Sequence, residues 1–168
     1  MESEIDILDF DDSFTWNIAC ELELLGFRTR VIEFDKVSMH LKRLKQNKTL
    51  KKVLIFGPGP GNPLEYQYLK KDILSLLTFN NYFIMGICLG HQLIWGCLEI
   101  DSVPLKNPIH GQTVNVEVPK WDFFPDYLKG KIIEVQKYNS LKLNITTDTT
   151  SAGTHIFNGD ECMFGNLN

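Results

Sequence analysis

The chain has no run of about 18 apolar residues and no secretory leader pattern, so neither a membrane span nor export is indicated. Its four cysteines, Cys20, Cys88, Cys97 and Cys162, are irregularly spaced and form no Cys-x-x-Cys pair. That excludes the usual structural zinc patterns and points to a reduced, cytoplasmic setting, with no metal and no cofactor expected. Basic charge is also scarce. The net charge is -4, and the one lysine-rich stretch (Lys42, Arg43, Lys45, Lys48, Lys51, Lys52) reads as a solvated helix face and turn. No nucleic-acid partner is called for. There is no internal repeat and no linker, and 168 residues at 43% hydrophobic suit a single globular domain with a real core.

The most informative residues are Gly86-Ile87-Cys88-Leu89-Gly90-His91-Gln92-Leu93. They follow the apolar run Tyr82-Phe83-Ile84-Met85, which reads as a buried strand, and they open an apolar segment over 89–98 that reads as a helix. Cys88 therefore falls on a strand-to-helix turn with glycines two residues to either side. This is the pattern of a nucleophile elbow, in which glycines permit close backbone approach and the nucleophile stands out at the top of a sheet. A helix N-terminus favours the thiolate, the attacking species, so the sequence predicts a reactive Cys88 rather than a buried core cysteine.

The first half alternates strand and helix signals. Strands are expected over 4–9, 28–34, 52–56 and 82–87, and helices over 13–25, 37–46, 66–77 and 89–98. Phe14, Ile18, Leu22 and Leu25 give the first helix its apolar spacing, and Gly26 is placed to end it. Repeated strand-helix-strand units imply an α/β fold, a mostly parallel sheet flanked by helices whose ligands gather at the strands' C-terminal ends. After Asp101, short strands over 113–118, 131–137, 143–147 and 154–157 suggest an antiparallel extension of the same domain.

Three further segments follow expected strands. Gly57-Pro58-Gly59-Pro60-Gly61 bares backbone N–H groups that suit an oxyanion. Asp9-Phe10-Asp11-Asp12-Ser13 reads as a helix entry, with Asp12 or Ser13 as N-cap. Its rival reading is an Asp-x-Asp-x-Ser phosphotransfer motif of the haloacid-dehalogenase type. That chemistry needs a later Lys and an acidic pair, where this chain carries its two glycine loops instead. Tyr138-Asn139-Ser140-Leu141 offers a backbone for a substrate's polar end.

Together these pieces resemble the class I, triad-type glutamine amidotransferases, and within them the small subunit of anthranilate and aminodeoxychorismate synthases. Asp12-Ser13-Phe14-Thr15-Trp16-Asn17 is similar to that branch's DSFTYN-type helix start, and Gly57 to Pro63 to its SPGPG-x-P loop. Gly86 to Gln92 resembles the nucleophile motif, Ile109-His110-Gly111 the HG element, and Tyr138 to Leu141 the YHSL element. The resemblance implies a flavodoxin-like fold and Cys88 as catalytic nucleophile, attacking the amide of glutamine to form a glutamyl thioester. It implies an oxyanion hole from the backbone N–H groups of Leu89 and Gly61, and glutamine held by Gly59, Gln92, Ser140 and Leu141. The partner it implies is a chorismate-aminating synthase subunit, which receives the released ammonia.

The sequence departs from that pattern in three places. The family's late FHPES-like motif, source of its catalytic His and Glu, does not occur in these 168 residues. Glu161-Cys162-Met163-Phe164-Gly165 resembles the strand one hairpin before it, so the domain is expected to be C-terminally incomplete and catalytically impaired. None of His40, His91, His110 or His155 falls where that base belongs. Asn139 stands where the family usually has His, and Trp95-Gly96-Cys97-Leu98-Glu99 replaces a paired-glycine turn. The alternative function is a non-catalytic partner protein that retains the fold.

Overall fold

A computed structural model describes residues 4–47, 49, 51–122 and 124–145, with the backbone alone at 109, 153–158 and 161–167. The chain forms two compact units, Met1–Glu99 and Ile100–Asn168. In the first, β1 (Glu4–Leu8), α1 (Phe14–Leu24), β2 (Arg28–Ile32), α2 (Phe34–Gln46) and β3 (Lys52–Phe56) alternate. A 3-10 helix (Pro63–Leu69), α3 (Lys70–Leu77), β4 (Tyr82–Gly86) and α4 (Leu89–Cys97) complete it. The four strands are all parallel, in the order β2-β1-β3-β4.

Both faces of the central strands are covered, which is why β3 reads as an apolar run after Lys52. Ile5, Ile7 and Ile55 pack against Ala19 of α1, with Ile18, Leu22, Val31, Val53 and Ile87 around them. The alternate residues Leu8, Leu54 and Phe56 are fully buried, as are Val37, Leu41, Ile73 and Leu76 on α2 and α3. Gly26, at φ +87°, stops α1: the Phe27 N–H donates to the Leu22 carbonyl at 3.0 Å, a left-handed cap that glycine adopts without strain.

A buried ionic cluster lies toward the N-terminal ends of these strands. Asp6, with no exposed surface, accepts from Arg30 Nε at 3.1 Å and from Lys52 Nζ at 2.8 Å, and meets His40 Nε2 at 2.7 Å. Burial alone raises the Asp6 carboxyl, but the hydrogen bonds from His40, Arg30 and Lys52 outweigh it and hold it below its ordinary value. Lys52 therefore departs from the solvated stretch expected of it. It opens β3 with only 8% of its side chain exposed, whereas Lys42 and Lys51 are exposed.

Other boundaries differ from the sequence expectation. Phe34 begins α2 instead of ending β2, with Glu33 as its N-cap and Asp35 in its first turn. Residues 66–69 belong to the 3-10 helix, whose Asn62–Glu65 capping box fixes its start. Phe14 on α1 and the C-cap residue Leu25 are exposed, and the buried positions of α1 are Thr15 and Ala19. No helix among the described residues is long and apolar enough to cross a membrane.

In the second unit β5 (Ser102–Glu117) and β6 (Ile132–Leu143) pair antiparallel, as do β7 (Gly153–Asn158) and β8 (Glu161–Leu167). β5 starts well before residue 113, its pairing with β6 shifting register at Pro104/Ile109 and His110/Gln112. Leu143 ends β6 instead of opening a strand of its own, Asn144 and Ile145 lie in no strand, and 146–147 fall outside the described residues. The fold is thus a mostly parallel α/β sheet with a small antiparallel addition.

Candidate active site

Cys88 sits at φ 53° and ψ -110°, as the N-cap residue of α4. A non-glycine residue in this left-handed region costs roughly 1–3 kcal/mol, so the surrounding structure must enforce it. It does so through the two flanking glycines. A Cβ at Gly86 would lie 2.6 Å from the His91 backbone nitrogen, and one at Gly90 would lie 2.1 Å from the Phe56 carbonyl oxygen. The turn is bolted to β3 by the Ile87 N–H donating to Phe56 O at 2.9 Å. Glu99, at φ 65°, holds another left-handed position, inside the segment that replaces the expected paired-glycine turn.

The Gly57–Gly61 loop and the loop after β1 converge on this elbow. The Gly90 N–H donates to Gly57 O at 3.1 Å, and the Gly57 N–H to Leu8 O at 3.0 Å. Gly59 is wedged between two neighbours: a Cβ there would come within 2.5 Å of both Leu89 Cδ2 and Phe10 Cβ. Gly61 takes φ +79°, and a side chain on it would meet the Glu65 carboxylate. Gly59 thus packs against Leu89, the residue after Cys88, while the surroundings of Gly61 are set by Glu65. Gln92 lies one helical turn after Cys88 on the same face of α4, its N–H donating to Cys88 O at 3.1 Å.

Asp9, Asp12 and Thr15 organise the entry to α1. Asp9 Oδ1 accepts from Thr15 Oγ1 at 2.7 Å and from the Asp12 N–H at 3.3 Å, which commits that carboxylate to structure. Ser13 occupies the N-cap position without a side-chain cap bond. Asp12 Oδ1 performs that role, accepting from the Phe14 N–H at 2.8 Å.

The electrostatics of Cys88 differ from the expectation drawn from its helix end. The residue reaches solvent, yet the protein packed around it desolvates the sulfur enough to raise the thiol above its ordinary value. The Leu89 N–H donates to the sulfur and opposes that shift, while the Asp12 carboxylate adds to it. Cys97 is buried and its thiol is pushed up to about 11, chiefly by burial. Cys20 is exposed on α1.

Ser140 and Leu141 belong to the second unit, where they lie inside β6 and not in a loop after it. Asn139 Nδ2 donates to Leu141 O at 3.1 Å, and His110 Nε2 approaches Ser140 Oγ at 3.4 Å. His155 lies in β7, of which only the backbone is described. Sequence reasoning missed the charge of Asp12 beside Cys88. Its signal was the Asp-rich loop after β1, a position that faces the same end of the sheet as the elbow.

The sequence profile of the glutamine amidotransferase class-I family matches residues 6–162. The chain belongs to that family. It is 30% identical over 138 residues to anthranilate synthase component 2 of Helicobacter pylori (strain ATCC 700392 / 26695), covering 82% of this chain and 69% of that protein. It is 35% identical over 122 residues to anthranilate synthase component 2 of Porphyra purpurea, covering 70% of this chain and 59% of the relative. Among solved structures, a Thermoplasma acidophilum protein assigned as a GMP synthase component superposes with a TM-score of 0.67 at 21% identity, covering 88% of this chain and 70% of that one. The likeness supports the fold.

Proposed function

We propose that this chain is the glutaminase subunit of a chorismate-aminating synthase, one that makes anthranilate or 4-amino-4-deoxychorismate. The observation that carries the reading is Cys88, held at positive φ on a helix N-terminus between two glycines that no larger residue can replace. Its sulfur adds to the side-chain carboxamide carbon of glutamine, and the N–H groups of Leu89 and Gly61 receive the oxyanion. Collapse forms a γ-glutamyl thioester and expels the nitrogen, which leaves as ammonia once protonated. Water then cleaves the thioester to glutamate and restores the thiol. Gly59 and Gln92 hold the glutamine, and the ammonia passes to the synthase subunit. The DSFTWN helix start and the names of the relatives favour chorismate as that subunit's substrate.

The test is to combine the chain with a chorismate-aminating subunit, glutamine and chorismate, and to measure aminated product. Product that depends on Cys88 supports the proposal, and product formed only from added ammonium salt refutes it.

A second reading, a non-catalytic partner with the same fold, is favoured by one observation: burial, and to a lesser degree Asp12, raise the Cys88 thiol above its ordinary value. A complex that forms with the synthase subunit yet adds no glutamine-dependent turnover would establish it.

A further inference from the structure

β2 is the edge of the parallel sheet, and among the described residues no strand pairs with its outer side. Its register against β1, with the Asp9 N–H donating to Ile32 O at 2.9 Å, turns the backbone groups of Arg28, Arg30 and Ile32 inward. The N–H and C=O groups of Thr29 and Val31 therefore point outward. The strand has neither the proline nor the bulge that commonly blunts such an edge.

A cavity of about 330 Å³ adjoins this edge, lined by Val31 and Ile32 on one side and by Lys36, Met39, His40 and Arg43 on the other. The four α2 residues recur at i, i+3, i+4 and i+7, so they form one stripe of the helix beside β2. The stripe is basic at both ends and apolar between, with Met39 57% exposed. Arg30 and Glu33 complete the lining, which thus holds Arg30, Lys36 and Arg43 against one acid. Arg30 is committed to Asp6 and Glu4, and Lys36 to Glu33. Arg43 meets no carboxylate among the described residues, which leaves the groove a positive charge.

We infer that this groove receives an extended, acidic segment of a partner protein, which adds a strand beside β2. The segment's backbone pairs with Thr29 and Val31, and its alternate carboxylates meet Arg43 and Lys36, covering Met39 between them. Lys36 and Arg43 stand about 10 Å apart along the helix axis, a span that carboxylates two to four positions apart on a strand can cover. A second copy of the chain is the wrong occupant, because pairing two β2 edges sets Arg28 and Arg30 of each copy against the other. A small anion would engage the cations but leave the outward N–H and C=O groups unused. The groove shares no residue with the glutamine chemistry proposed for Cys88.

The test is a fluorescence-anisotropy titration of the intact chain into a blocked, dye-labelled peptide of alternating Glu and Val, about eight residues long. Arg43→Glu should weaken binding by about tenfold or more, and Lys36→Glu by about threefold or more, since Glu33 already offsets that charge. Lys42 is an exposed lysine of α2 outside the groove, and Lys42→Glu should stay within about twofold. A peptide of alternating Lys and Val should not bind. Two further peptides carry N-methyl groups on every Glu or on every Val. One should lose binding by about tenfold and the other keep it, because alternate residues of a strand turn their N–H groups to opposite edges. Loss in neither, or equal loss in both, overturns strand addition. Failure of the Glu-Val peptide to bind, or equal weakening by Lys42→Glu and Arg43→Glu, overturns the groove as its site. Full displacement by inorganic phosphate at matched ionic strength makes the groove a small-anion site and overturns the partner segment.

Discussion

The Gly90 amide nitrogen lies 3.1 Å from the Gly57 carbonyl oxygen, joining the first turn of α4 to the loop that follows β3. This bond ties the Cys88 turn to the Gly57–Gly61 loop, the two segments that the proposed chemistry uses. It forms because neither residue has a side chain to keep the backbones apart.

Gly90→Ala would place a Cβ 2.1 Å from Phe56 O, so backbone must move. We expect a loss of about 1–3 kcal/mol or more in urea denaturation, together with loss of Cys88 labelling. Gly96, on the same helix, has nothing within 4 Å of its would-be Cβ. Gly96→Ala should instead be neutral or stabilise by up to about 1 kcal/mol. Equal effects at the two sites would contradict the packing account.

Asp6→Ala removes the buried carboxylate shared by His40, Arg30 and Lys52, leaving the buried Lys52 only the partly exposed Glu4. Removing one partner of a buried ionic group costs about 3–5 kcal/mol, which a denaturation midpoint would register directly. The pH dependence follows from the direction of the shift. Because the folded carboxyl titrates below its ordinary value, Asp6 stabilises fully above about pH 4, and that contribution is lost as pH falls through the lower folded value. The acid limb of stability should therefore be flatter in Asp6→Ala, and an unchanged acid limb would count against the cluster.

These 168 residues by themselves should release ammonia from glutamine poorly. The resemblance leaves the general base unassigned within these 168 residues, and the Cys88 thiol is raised by burial and by Asp12. General acid-base help is worth about 10² to 10⁴ in rate, so the deficit should be plain in an ammonia-release assay. Turnover at the level of a complete amidotransferase would show that another residue supplies the base.

Trp16 is 61% exposed on α1 near the convergent loops, so it is not a core residue. Trp16→Ala should change stability by less than about 1 kcal/mol. If the synthase subunit docks over this end of the sheet, the same change should weaken the complex by about 2 kcal/mol or more, read by titration calorimetry. Unaltered affinity would move the interface elsewhere.

The alternation of strands and helices and the elbow were legible because each depends on neighbours a few residues apart. The glycines on either side of Cys88 and the apolar run of β4 are such local signals. The Asp6 cluster was not legible, since it needs the cross-strand pairing of Asp6 with Arg30 and the arrival of His40 from α2. Lys52 was hidden in a run of lysines for the same reason. β5 was obscured by Pro104, Pro108 and Gly111, which break a strand signal but are accommodated at its register shifts. The direction of the Cys88 shift escaped because helix-end charge is local, whereas burial and Asp12 arrive through the fold.

The most direct test of the central claim is intact-mass analysis after incubation with a glutamine-analogue electrophile. The account predicts one covalent adduct, mapped to Cys88, slowed by excess glutamine and abolished in Cys88→Ser, while buried Cys97 stays unmodified. An adduct that survives Cys88→Ser, or one indifferent to glutamine, would contradict the assignment of Cys88 as the nucleophile of a glutamine site.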